Sequence, residues 1–242
     1  MKGKINYKHD KWLSQCADVK KILCDSDIHD PVKKISDIIK NISDDASITV
    51  DVGNNEFWVT RAYYLTGKNN RLIMSKSFSA LGCSLPKGIG VYFASKKPAI
   101  VFMGDHALLF NLSDLHFISI NKIPIIIVLI NNQSSGMIKS QQKNQKRGKY
   151  IHTTKESGYL NPDYHKIVEA FNIKYCNYDK LCPEELNRIL SDISCPVFIE
   201  LKIDSEIETP KLPRNNVCYD FEPKISEETK ILLNKIKVNI NE

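Results

Sequence analysis

The chain has 242 residues, 42% of them hydrophobic and 26% charged, enough for one sizeable core and too few for a typical multi-domain enzyme. Its net charge of +6 is spread along the sequence except in KSQQKNQKRGK (139–149), where no aromatic side chain interleaves with the cations. That composition predicts a solvated, mobile loop and argues against a nucleic-acid partner.

The longest apolar run, 123–130, is interrupted by Pro124 and has strand length, so no membrane partner is expected. The opening MKGKINYKHDKW has no apolar stretch of the signal-peptide kind, which points to the cytoplasm. The seven cysteines are scattered, without a C-x-x-C pair or a histidine at ligand spacing, and suit reduced structural thiols.

In chain order, residues 1–29 have weak periodicity and predict an extension that wraps on a neighbour. The stretch PVKKISDIIKNI follows, with Ile35, Ile38, Ile39 and Ile42 on one helical face and Asp30-Pro31 as its start. Next come β-branched runs alternating with helical ones: strands at 47–53, 71–74, 99–103, 124–130, 173–176 and 197–203, and helices at about 86–95, 111–121, 162–171 and 183–193. This order predicts an α/β fold, a three-layer parallel sheet flanked by helices, over residues 30–204. The runs AIVFMG and IPIIIVLINN lack polar alternation and belong in the middle of the sheet. Residues 205–242 are polar and proline-bearing, and read as a tail with a last helix at 227–238.

Ligands of open parallel sheets sit beyond the carboxyl ends of the strands. Asp105 and Asn132 each end a buried strand and lie about one helix plus one return strand apart, so one βαβ unit brings both to the same sheet edge. A carboxylate, an amide oxygen and a carbonyl from the following loop, with two phosphate oxygens and a water, complete the octahedral shell that magnesium demands.

The segments GDHALLFNLSDL and INKIPIIIVLINNQSSGM resemble the thiamine-diphosphate motif, which opens with Gly-Asp-Gly and closes with Asn-Asn. DVGNNEFW, SFSALGCSLPKGIG and NPDYHKIVEAFNIKY stand in the same register. Together these blocks resemble the pyrophosphate-binding domain of acetolactate synthases over about residues 30–203. WLSQCADVKK and ETPKLPRN resemble, less specifically, acetolactate-synthase-like proteins of surface-polysaccharide gene sets.

The resemblance implies the thiamine-diphosphate-binding fold, with thiamine diphosphate and magnesium as cofactors. It makes Asp105 and Asn132 side-chain metal ligands and Ser134 the carbonyl ligand. Asn54 and Asn55 fall in the loop that bonds the diphosphate, Ser79 meets the aminopyrimidine through its backbone, and Leu81 wedges the cofactor into a bent shape. For Leu81, simple core packing gives the same sequence pattern. The bend sets an intramolecular base beside the carbon that attacks a 2-oxo acid. The family's activating glutamate lies in a separate pyrimidine-binding domain and has no counterpart here, so no catalytic residue is assigned. A pyrimidine-binding domain or subunit is the implied partner, and the surface it covers implies a homo-oligomer.

Two positions depart from the pattern. His106 stands where the family has Gly or Ala, and Ala107 where it often has Ser; both fall against the expected diphosphate. The imidazole either clashes there or turns and, if protonated, pairs with a phosphate oxygen. The lost hydroxyl removes a hydrogen bond worth roughly 0.5–1.5 kcal/mol. The leading expectation is therefore a decarboxylase or carboligase that is incomplete by itself. The alternative is a structural or regulatory subunit with a degenerate cofactor site.

Overall fold

The computed structural model describes residues 10–25, 30–75, 77–145, 148–209 and 227–238. Two compact units result: Asp30–Thr209, and a second made from the two ends of the chain. In the second unit α1 (Asp10–Asp25) packs on α10 (Glu227–Val238). WLSQCADVKK falls within α1, whereas most of ETPKLPRN, with Cys218, lies outside the described residues.

The larger unit carries a six-stranded sheet, entirely parallel, in the order β2-β1-β3-β4-β6-β5. The strands are β1 (Ser47–Val50), β2 (Leu72–Met74), β3 (Ala99–Gly104), β4 (Ile125–Asn131), β5 (Lys174–Asn177) and β6 (Val197–Lys202). As the missing polar alternation predicts, β3 and β4 are central; Ile100, Val101, Phe102, Ile126, Ile127 and Val128 are fully buried. The α/β class and parallel sheet read from the sequence are those observed.

The helices of this unit are α2 (Asp30–Asn41), α3 (Asn54–Thr66), α4 (Ser84–Ser95), α5 (Asp105–Leu109), α6 (Leu112–Ile120), α7 (Gly136–Gln145), α8 (Tyr164–Ala170) and α9 (Pro183–Ser191). The apolar face of α2 buries Val32, Ile35, Ile38 and Ile39 against α3 and α9. Helix α4 runs close to the sheet because Gly88 has no side chain: a β-carbon there would lie 2.5 Å from Val101 Cγ2.

Several elements differ from the sequence reading. Helix α3 was not expected, and Asn54 and Asn55 open it rather than sit in a loop. Of the stretch 139–149, read as a solvated loop, residues 139–145 lie in α7, where Lys139, Ser140 and Gln142 are buried. Residues 205–209, read as part of the tail, belong to the compact unit of the sheet.

Chain direction across the sheet reverses between β1 and β3, since β1 leads through α3 to β2 on one side and β3 continues to β4 on the other. Such a switch point leaves a crevice at the carboxyl ends of the two strands.

Candidate cofactor site

At that crevice lies a cleft of about 360 Å³. Its lining brings together every candidate read from the sequence: Asn54, Asn55, Ser79, Leu81, Asp105, His106, Ala107, Asn132 and Ser134. The first turns of α3, α5 and α7 supply Asn54-Asn55, Asp105-His106-Ala107 and Gly136-Met137-Ile138. Helix N-termini present unpaired N–H groups and a partial positive charge, which suits an anion. Among the described lining residues there is no Lys or Arg, and Asp105 is the one carboxylate.

The Asp105 side chain is held from three directions. Oδ1 accepts the Tyr159 hydroxyl at 2.7 Å and the His106 N–H at 2.9 Å, while Oδ2 accepts Asn161 Nδ2 at 2.7 Å. The Tyr164 hydroxyl donates to the Asp105 carbonyl at 2.9 Å. Burial and the negative charge of Asp105 push both phenols well above their usual range, so they stay protonated donors.

His106 turns onto Tyr159, with the rings stacked 3.7 Å apart at 15°. Burial is the main cause that lowers its pKa; His152 adds to this, and Asp105 opposes it. The neutral imidazole is thereby favoured, against the protonated form considered from sequence. Its buried Nε2 has no hydrogen-bond partner among the described residues.

Asn132 and Ser134 are buried beside the cleft, and the Ser134 hydroxyl donates to the Thr153 carbonyl at 2.8 Å. Ala107 is also buried. The amides of Asn54 and Asn132 meet across Gly136. Leu81 is 45% exposed, which core packing does not account for. Ser79 has a left-handed backbone with φ 48°.

The loop that carries Ser79 and Leu81 is fixed by Asp51, a residue missed as a candidate. Its fully buried carboxylate accepts the N–H groups of Val52 and Gly82 at 3.0 Å and of Ser84 at 2.9 Å. Tyr159, Asn161, Gly136 and Trp58 were missed as well. Asp51, Trp58 and Asn161 stand inside the blocks DVGNNEFW and NPDYHKIVEAFNIKY, yet nothing in those blocks tells their side chains from their neighbours'.

A family model described as "Thiamine pyrophosphate enzyme, C-terminal TPP binding domain" matches residues 51–201. The chain belongs to this family. Among its relatives is the acetolactate synthase large subunit of Lactococcus lactis, 32% identical over 174 residues, 70% of this chain and 29% of that protein. The acetolactate synthase large subunit of Porphyra purpurea is 33% identical over 134 residues, 55% of this chain and 22% of that protein. A thiamine diphosphate-dependent 4-hydroxybenzoylformate decarboxylase of Rhodococcus jostii shares the fold, with a TM-score of 0.60 at 18% identity over 72% of this chain and 32% of that one. The TPP-binding domain described here is thus acetolactate-synthase-like, and it spans less than a third of the length of these relatives.

The cleft fits the group that the family implies. Among the described lining residues no Lys or Arg would offset the charge of a bare diphosphate beside the Asp105 carboxylate. The Asp105 carboxylate and the Asn132 amide that line the cleft, with the backbone at Ser134, are oxygen-bearing groups of the kind a hard divalent ion takes.

Proposed function

We propose that this domain binds thiamine diphosphate through magnesium and forms the diphosphate-holding half of a 2-oxo acid decarboxylase or carboligase. The observation that carries the reading is the meeting of Asp105, Asn132 and Ser134 with the first turns of α3 and α7 in a cleft whose described lining residues include no Lys or Arg. In this reading Asp105, Asn132 and the Ser134 carbonyl hold the metal. Asn54, Asn55 and the backbone at His106 and Ala107 hold the diphosphate, and Ser79 meets the aminopyrimidine. Leu81 is the apolar prop against which the cofactor bends. When bound, thiamine diphosphate supplies an electron sink for loss of carbon dioxide from a 2-oxo acid. The domain's own residues bind and orient it.

Catalysis then needs a pyrimidine-binding domain, on the same polypeptide or another. Phe78, 90% exposed, and Leu81 sit on the loop at the cleft rim and offer such a partner an apolar surface. We assign the assembled, oligomeric enzyme to the cytoplasm. Among the described residues no helix is long and apolar enough to cross a membrane.

Calorimetric titration with thiamine diphosphate and magnesium, with and without a pyrimidine-domain partner, tests the reading. Saturable binding is expected, weakened more than about tenfold by Asp105→Ala. Absence of binding with the partner present would instead identify a non-catalytic subunit that kept the fold.

A further inference from the structure

Behind Asp105 a chain of polar side chains runs from Glu200 on β6 through Asn131 at the end of β4 and Asn161 before α8 to the start of α5. Glu200 on β6 accepts Asn131 Nδ2 at 2.6 Å through Oε1 and the Tyr175 hydroxyl through Oε2. With its Nδ2 directed at Glu200, Asn131 has its Oδ1 occupied by the N–H of Gln133 at 3.1 Å and by Asn161 Nδ2 at 2.9 Å. The same Nδ2 donates to Asp105 Oδ2 at 2.7 Å. Glu200, Asn131 and Asp105 are each at most 6% exposed and Asn161 is half-buried, so water does not cheaply replace the bond between Glu200 and Asn131.

The polarity of the chain follows from the oxygens that accept at its two ends. Glu200 accepts from Asn131 through Oε1 and from the Tyr175 hydroxyl through Oε2, and this pairing fixes which way the Asn131 amide points. Asn131 Oδ1 and Asp105 Oδ2 together then fix the Asn161 amide, because its flip would place an oxygen against two acceptors. On Asp105, Oδ1 already has two donors and Oδ2 has one. Of the roughly four acceptor sites of a carboxylate, one on Oδ2 is left.

We infer that Asn161, oriented through Asn131 and Glu200, is a positioning residue that turns Asp105 so that one lone pair of Oδ2 is presented to the metal ion. This rests on the reading of Asp105 as a magnesium ligand. It also separates the two members of the Asn-Asn pair: Asn132 faces the cleft, whereas the amide of Asn131 is spent on Glu200 and Asn161 and is not a ligand.

The test uses Mn²⁺ as a paramagnetic probe, titrated by electron paramagnetic resonance into the full chain with thiamine diphosphate and the pyrimidine-domain partner. Asn161→Ala and Glu200→Leu are expected to weaken Mn²⁺ binding by about tenfold or more. Glu200→Gln, which keeps an acceptor for Asn131, is expected to restore it, with the thermal midpoint of Asn161→Ala close to that of the parent. Should Glu200→Leu fail to fold, the half-buried Asn161→Ala decides alone. Unchanged affinity in Asn161→Ala, beside a loss in Asp105→Ala, overturns this inference and leaves the metal site standing. Unchanged affinity in Asp105→Ala, or no Mn²⁺ uptake by the parent, overturns the metal reading itself and this inference with it.

Discussion

A β-carbon on Gly136 would lie 2.5 Å from Asn54 Nδ2 and 2.8 Å from Asn132 Nδ2, closer than nonbonded atoms tolerate. The glycine therefore sets the spacing between two amides from distant parts of the chain. Gly136→Ala must push both aside, although alanine favours the helix that starts there by up to about 1 kcal/mol. We expect urea unfolding of this variant to change by less than about 2 kcal/mol while calorimetric affinity for thiamine diphosphate with magnesium falls severalfold. Equal affinity would show that the two amides have no part in binding. At this scale Asp105 and Asn132 were legible because each follows a buried strand. Asp51, Tyr159 and Asn161 were not, since their partners lie 31, 54 and 56 positions away, and no local pattern encodes such a pairing.

Helix α7 shows why an element can escape hydrophobic periodicity. Its buried residues are Lys139, Ser140 and Gln142, and their partners are polar. Gln142 exchanges bonds with the backbone of Ile151 at 3.0 and 3.2 Å, and Lys139 pairs with Glu206. Lys143 and Ser140 both reach Glu208, at 2.9 and 3.3 Å. Thr209 then hydrogen-bonds Asn54 at 3.4 Å, so the segment after β6 straps α7 to the start of α3 at the cleft.

The hydrogen bond and charge of Lys139 hold the Glu206 pKa below the ordinary carboxylate range. A depressed folded pKa contributes stability above the unfolded value, about 4.3, which is lost as pH falls through the folded one. The protection of residues 205–209 against hydrogen exchange, relative to the intrinsic rate at each pH, should therefore be high at neutral pH and fall in acid, and Glu206→Gln should remove that step. A strap equally protected at both pH values would count against its electrostatic hold. By contrast, α2 was legible because its buried face is made of isoleucines at helical spacing. Helix α3 was not, because Phe57 and Tyr64 are exposed and blur the contrast between its faces.

For the molecule as a whole, the sheet is the frame on which all parts of the cleft depend. Ile127 lies fully buried on β4, paired in register with Val101 of β3 and Phe198 of β6. Ile127→Ala is expected to destabilise the Asp30–Thr209 unit by about 2–5 kcal/mol through lost burial and the cavity left behind. In denaturant, cofactor binding should disappear at the midpoint at which β3 and β4 lose their protection against hydrogen exchange, because the unit that holds the cleft is the unit that unfolds. A cleft that outlasts the sheet would contradict this.

The amino-acid sequence by itself determined the α/β class, the two central strands and the positions of Asp105 and Asn132. Burial on both faces, strand length and turn chemistry are local properties that residue patterns record. Only the tertiary structure decided that β6 enters between β4 and β5, that Lys139 is covered by the strap, and that Asp105 is gripped by Tyr159 and Asn161. These depend on which side chains meet across long stretches of chain. Polar groups buried against polar groups leave no apolar period in the sequence from which to read them.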